Sequence, residues 1–132
     1  MTTALITHDD FLNHVTPPGH PERVARLEHL MPALNGKELL RAEAPECTDE
    51  DIQLCHPASY IAKIASASPS EGFVQIDADT HMSPGSYIAA RRAVGGAVKA
   101  VDMVMAGAAD NVFVACPPPG HPAAPATPLG LR

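Results

Sequence analysis

The segment that most constrains the fold is Asn111–Ala115, in which apolar residues follow one another without alternation. A continuous apolar strand is typical of a parallel sheet that is covered by helices on both faces. Ala4–Thr7 is a second short strand, and polar residues follow it directly, while Leu39–Ala44 is a possible third. Strands separated by helical segments predict an α/β fold with a parallel sheet flanked by helices.

Three segments have the spacing of amphipathic helices. Apolar residues recur at helical intervals from Pro21 to Leu34, and proline suits the first helical position. A shorter helix is predicted from Pro57 to Ser66. The longest extends from Ser83 or Pro84 to Ala106. Its apolar stripe, which we expect to face the core, consists of Ile88, Val94, Val98, Val101 and Met105.

Two local features refine these predictions. Gly95 and Gly96 lie inside the longest helix, where each glycine costs about 1 kcal/mol relative to alanine. Such a pair predicts close packing against a neighbouring backbone. Thr48 is followed by three acidic residues, which is typical of a capped helix start.

Composition limits the possible functions. A chain of 132 residues is one domain by the usual length expectation. A net charge of −6 with scattered basic residues argues against nucleic-acid binding, which depends on clustered lysine and arginine. No apolar window reaches the ~18 residues of a membrane span, so we expect a cytoplasmic protein. The three cysteines form no CxxC pair and are expected to be reduced, buried thiols.

Three groups of motifs, in this order, resemble the histone deacetylase and acetylpolyamine amidohydrolase family. The first comprises His8, His14 and His20-Pro21-Glu22-Arg23. The second runs from Val74 through Asp77-Ala78-Asp79-Thr80 to Ser83-Pro84-Gly85-Ser86. The third is Asn111–Ala115 followed by Pro118-Pro119-Gly120-His121. The resemblance covers essentially the whole chain.

The resemblance implies a parallel sheet of the arginase and deacetylase type, in domains more than twice as long as this chain. It also implies a single zinc held by two aspartates and a histidine that lie beyond the last residue here. In the family a histidine pair acts on the metal-bound water, and a later tyrosine polarises the acetyl carbonyl. We therefore expect the amino-terminal part of such a domain, truncated before its zinc ligands.

One family motif is altered in this sequence. Pro117 stands where the motif has arginine, His121 matches the first histidine, and Pro122 replaces the second. Proline has no titratable group, so it cannot act as a general acid or base. The sequence therefore predicts that this chain is not a deacetylase by the family's mechanism.

Asp77, Asp79 and His81 occupy alternate positions. An extended backbone would point them to one side with roughly 7 Å between neighbours, and a bent one could bring them together on a divalent cation. Carboxylate with imidazole is a usual zinc ligand set. We predict a divalent metal, zinc, bound by Asp79, His81 and His121, with His121 also catalytic. The alternative is a solvated acidic loop in which Asp79 caps the next turn.

The segment His20-Pro21-Glu22-Arg23 has two interpretations. It can be a helix start, with Pro21 in the first turn and Glu22 favourable near the helix N-terminus. Alternatively, the resemblance places Arg23 near the channel by which the family releases acetate. On the second interpretation His20 and Arg23 are substrate-binding residues.

These residues predict a small metal-dependent hydrolase with a rebuilt site that acts on a small-molecule substrate. Ester or phosphoester bonds are easier targets than amides, because a metal supplies Lewis acidity and hydroxide without the missing general acid. The alternative is a catalytically inactive remnant that serves as an oligomeric or interaction module. A separate polypeptide could also supply the missing half.

The domain is expected to span residues 1–116, followed by a tail, 117–132, in which six residues are proline. A sheet that ended at Asn111–Ala115 would expose an edge, and exposed edges tend to pair with other chains. We therefore predict a homo-oligomer that completes the fold. Ser86–Met105 and the tail are expected to form its interface.

Overall fold

The computed structural model describes residues 1–117 and 125–126. The strands are β1 (Thr3–Thr7), β2 (Leu40–Glu43), β3 (Val74–Gln75), β4 (His81–Met82) and β5 (Asn111–Val114). The helices are α1 (Ala25–Leu34), α2 (Asp49–Gln53), α3 (Ala58–Ala67) and α4 (Ser86–Met105), with a 3-10 helix (Asp9–Asn13) directly after β1.

The main sheet has three strands in the order β2-β1-β5, and both pairings are parallel. Leu5 in the central strand lies opposite Arg41 on one side and Phe113 on the other. The predicted parallel α/β sheet with flanking helices is thus confirmed. The structure adds a short antiparallel ribbon of β3 and β4, in which Val74 pairs with Met82.

The environment of β5 differs from the prediction. Val112 and Val114 are half-buried, whereas the side chain of Phe113 on the opposite face is 49% exposed. The prediction that this strand is buried on both faces is therefore wrong for the described residues. The reason is that β5 ends the strand order of the described sheet, and α4 covers only one of its faces.

The core-facing side of α4 also differs from the predicted stripe. Val98, Val101 and Met105 are exposed, the last by 81%. The core instead meets small residues at helical spacing, together with one methionine: Ala89, Ala93, Gly96, Ala100 and Met103. Small side chains let the helix approach the sheet closely, and this gain outweighs burial of the larger valines.

The two glycines of α4 confirm the predicted close packing. A Cβ atom added to Gly95 would overlap the carbonyl oxygen of Pro45, and one added to Gly96 would lie 3.1 Å from Cγ1 of Val114. Two arginines on the same helix reinforce this contact. Arg91 donates to the Cys47 carbonyl at 2.7 Å and Arg92 to the Ala44 carbonyl at 2.8 Å.

Helix α1 begins at Ala25, four residues later than predicted. The N–H of Glu22 donates to the imidazole of His20, and its carbonyl accepts from the hydroxyl of Thr16. Because these side chains occupy the backbone groups of Glu22, the segment cannot continue the helix backwards. Leu27 of α1 is buried in the core.

The remaining predictions on local structure are largely confirmed. Thr48 caps α2, because its hydroxyl accepts from the Asp51 N–H while the Asp51 carboxylate accepts from the Thr48 N–H. Helix α3 buries Ile61. Within residues 1–117 and 125–126, no helix is long and apolar enough to cross a membrane.

The cysteines are free, but they are not all buried as expected. Cys47 is buried, Cys116 is half-buried and Cys55 is exposed, because Cys55 follows the short α2 at the surface. Burial raises the pKa of the Cys47 and Cys116 thiols.

Candidate functional site

Three of the predicted site residues come together where two loops meet. We call residues 14–23 the first loop and residues 76–83 the second. Nε2 of His20 donates a hydrogen bond to the carbonyl oxygen of Asp79 at 2.9 Å. The rings of His20 and His81 lie edge to face, with centroids 5.6 Å apart. The structure thus joins a predicted substrate-binding residue to two predicted metal ligands.

The second loop is bent, so its acidic residues do not form an extended row. The N–H of Ile76 donates to the carbonyl of Thr80 at 2.8 Å, which closes a tight turn. Inside this turn the carboxylate of Asp77 accepts from the N–H of Asp79 at 2.8 Å. The turn presents the carbonyl of Asp79 to His20 and leads directly into β4, which begins with His81.

The predicted metal ligands are only partly within view. His121 lies outside the described residues, so its predicted catalytic and ligand roles stay predictions. Among the described residues, no three histidine, cysteine, aspartate or glutamate side chains are grouped to hold a metal ion. Nδ1 of His81 is buried and has no hydrogen-bond partner in the described part of the chain, which suits a donor atom. One such donor does not make a site.

Arg23 is exposed at the end of the first loop, just before α1. Its role as a substrate-binding residue remains a prediction. The Glu22 side chain, by contrast, has a different environment from the one expected. It does not lie in the first turn of a helix, because α1 begins three residues later, and its carboxylate is almost completely buried.

A buried network that the sequence did not reveal lies under the two loops. Oε1 of Glu22 is 3.2 Å from Nε2 of His14, and Nδ1 of His14 is 2.7 Å from the hydroxyl of Ser86. Ser86 in turn contacts the hydroxyl of Ser83 at 3.1 Å. The side chains of His14 and Glu22 are only 5% and 7% exposed.

The sequence carries no local signal for this network. His14 and Ser86 are 72 residues apart, and no helical or strand periodicity relates them. The contact forms because the 3-10 helix after β1 packs on α4, which brings the residue after one to the first residue of the other. Only the tertiary fold makes these residues neighbours.

A separate cavity of ≈ 280 Å³ lies at the carboxyl ends of β1 and β2. Its lining consists of Leu5, Thr7, His8, Asp9, Arg41, Ala42 and Glu43. Strand ends of this kind are where parallel sheets build binding sites. The cavity contains none of the predicted site residues, so the contacts between the two loops remain the better candidate.

The comparisons with known proteins agree with this architecture. Residues 20–131 match the histone deacetylase domain family. A histone deacetylase-like amidohydrolase of Pseudomonas aeruginosa is 38% identical over 125 residues, which is 89% of this chain and 32% of that protein. A probable deacetylase of Archaeoglobus fulgidus is 31% identical, over 95% of this chain and 36% of that protein.

Solved structures give the same answer. The crystal structure of the HDA15 HD domain superimposes with a TM-score of 0.89 at 25% identity, over 98% of this chain and 39% of that one. The chain belongs to the histone deacetylase family and has the hydrolase scaffold of that family. It spans about a third of the length of the curated relatives just described.

Proposed function

We propose that the protein is a metal-dependent hydrolase that removes acyl groups from small molecules, with the two loops forming part of its substrate-binding wall. The observation that carries the proposal is the convergence of His20, the Asp79 carbonyl and His81. Relatives of this chain include an amidohydrolase, a probable deacetylase and a human polyamine deacetylase. Their names support acyl transfer to water as the reaction class.

The roles of the described residues follow from their contacts. His20 holds its imidazole against the second loop through a hydrogen bond to a backbone carbonyl, so the ring can orient a substrate without moving. His81 offers a buried ring nitrogen that the described protein atoms leave without a partner. These two rings can bind and align a polar substrate group.

The metal enters the proposal through the family, in which zinc or another divalent ion supplies Lewis acidity and activates water. The described residues do not fit a complete ligand set. Further ligands must therefore come from elsewhere in the protein, from His121 or from a second subunit. We derive no catalytic step through the metal for the described residues.

Substrate preference follows from the altered histidine motif. Pro122 cannot protonate a leaving group, and an amine leaving group needs that proton more than an alkoxide or phosphate does. We therefore propose that acyl esters, and after them phosphoesters, are cleaved faster than acetyl amides.

The test combines metal analysis with turnover. The 132-residue chain is purified, loaded with Zn²⁺ or Mn²⁺ and assayed on activated acyl esters, phosphate esters and acetylated amines, with and without chelator. We expect chelator-sensitive turnover that is fastest on acyl esters and is reduced by His81→Ala. His29→Ala is the matched control, because His29 is an exposed histidine on α1.

Protein that binds no metal and turns over none of these substrates would contradict the proposal. Such a result would favour the second candidate, an oligomeric or interaction module without catalysis. That candidate is supported by the exposed apolar residues on α4 and β5, which include Val101, Met105 and Phe113.

A further inference from the structure

The buried network can be read by counting its protons, starting from Ser83. Its hydroxyl oxygen lies 2.9 Å from the carbonyl oxygen of Asn13, which can only accept, so the Ser83 proton is donated there. The N–H of Val15 donates to the same Ser83 oxygen at 3.0 Å. The remaining contact of Ser83, at 3.1 Å from Ser86, therefore needs a proton from the Ser86 hydroxyl.

The hydroxyl of Ser86 has then used its only proton. It also accepts from the N–H of Ser83 at 2.8 Å. Its shortest contact, 2.7 Å from Nδ1 of His14, must accordingly be filled by a proton on that nitrogen. Each serine then donates once and accepts twice, which is the full capacity of a hydroxyl group.

The other nitrogen of His14 completes the count. Nε2 lies 3.2 Å from Oε1 of Glu22, and a hydrogen bond between them requires a second proton in addition to the one on Nδ1. An imidazole is intrinsically more basic than a carboxylate by about two pKa units, so this proton belongs on the ring. Among the ion pairs of the described part of the chain, Glu22 is the partner of His14.

We propose that His14 is an imidazolium ion paired with the Glu22 carboxylate, and that this buried pair is a positioning element for His20 and the two loops. Burial makes the pairing necessary. A carboxylate excluded from water is strongly unfavourable without a charged partner, and Oε2 of Glu22 has no hydrogen-bond partner among the described residues.

Glu22 transmits this position to His20 through its backbone. Its N–H lies 3.1 Å from Nδ1 of His20, and its carbonyl oxygen, 3.2 Å from the same nitrogen, already accepts from the Thr16 hydroxyl. Nδ1 of His20 is thus the acceptor, and the ring carries its proton on Nε2, which donates to Asp79. Two histidines of one loop therefore have different ring states.

The same network fixes the second loop from its other end. Ser83 follows β4 directly, and its hydroxyl is tied to Asn13, Val15 and Ser86. The loops are thus joined at the His20–Asp79 contact and again at the serines. Disturbing the ion pair should loosen His20 while leaving the sheet in place.

The experiment measures the ring nitrogens of the ¹⁵N-labelled 132-residue chain by NMR at pH 7. We expect two protonated nitrogens for His14, and for His20 one protonated Nε2 beside an unprotonated Nδ1. In Glu22→Gln, His14 should lose one ring proton and His20 should shift toward a mixture of tautomers. Glu28→Gln removes the same charge from an exposed site on α1 and should change neither ring.

A wild-type His14 with one unprotonated ring nitrogen at pH 7 would overturn the ion pair. An unchanged His20 in Glu22→Gln would overturn the positioning role. If that variant does not fold, Ser86→Ala replaces it, because it removes the acceptor of the Nδ1 proton and should leave that nitrogen unprotonated. The measurement uses no turnover, so it stands or fails independently of the proposed reaction.

Discussion

The pair of loops and the outer side of α4 satisfy their side chains in opposite ways. In the loops, charged and polar groups are buried and are joined by hydrogen bonds, as between His14 and Glu22. On the outer side of α4, apolar side chains such as Val101 and Met105 are exposed. The first region is complete within the chain, whereas the second presents the kind of surface that proteins usually cover.

This difference separates what the described residues achieve alone from what they leave open. A buried ion pair strongly resists the loss of one partner, because the remaining charge has no solvent to stabilise it. An exposed valine or methionine loses little on substitution. Substitutions should therefore affect the free energy of unfolding strongly in the loops and weakly on the outer helix face.

The largest effect is expected from Glu22→Ala. Removing the carboxylate leaves His14 without its charged partner in a buried site, which costs about 3–5 kcal/mol. Urea denaturation followed by circular dichroism measures the loss. Glu28→Ala is the control and should change the free energy of unfolding by less than about 0.5 kcal/mol. Equal effects of the two substitutions would remove the distinction between the regions.

The next largest effect tests the inner side of α4. Gly95→Ala adds a methyl group where the Pro45 carbonyl already lies, so overpacking should cost about 1–3 kcal/mol despite the better helix propensity of alanine. The control is Ala97→Ser on the exposed side of the same helix. A Gly95→Ala variant as stable as the wild type would show that the helix is free to move away from residue 45.

A smaller effect depends on pH. In the unfolded chain, thiols ionise above about pH 8.5. Burial raises the pKa of Cys47 and Cys116 in the folded protein, so the unfolded state binds fewer protons above that pH. Stability should therefore be unaffected by these thiols at neutral pH and should fall as pH rises beyond about 8.5.

Urea denaturation at pH 7.5 and 9.5 checks this prediction. The double variant Cys47→Ala/Cys116→Ala should lose less stability between the two pH values than the wild type. Cys55→Ala should behave like the wild type, because Cys55 is exposed. A fall that is the same in all three proteins would assign the pH dependence to other groups.

The smallest effect on unfolding is expected from Met105→Glu, within about 0.5 kcal/mol, because the side chain is exposed. We propose that this face joins copies of the chain into a homo-oligomer, so the same substitution should lower the molar mass measured by light scattering. Lys63→Glu on α3 is the control. A wild-type chain that is monomeric at micromolar concentration would contradict self-association.

Much of the fold could be predicted because its signals are local. The strands Ala4–Thr7 and Leu39–Ala44, the cap at Thr48 and the helices all have periodicity or capping chemistry within a few residues. The start of α1 could not be predicted, since it depends on Thr16 and His20 holding the backbone of Glu22. Long-range hydrogen bonds decided that boundary.

The candidate site was predictable by residue type but not by arrangement. The sequence selected His20, Asp79 and His81, and the structure brings them together. It did not show that the Asp79 contact uses a backbone carbonyl, nor that Glu22 is buried against His14. Those facts depend on a turn and on a contact between residues far apart in the chain.

The sequence by itself determined the family, the parallel strands and the close approach marked by Gly95 and Gly96, because each is written in motifs or in adjacent residues. The tertiary structure alone decided which side of α4 faces the core. Both sides are apolar, so periodicity cannot choose between them. The choice falls to packing distance, which favours the small residues against the sheet and leaves Val101 and Met105 outside.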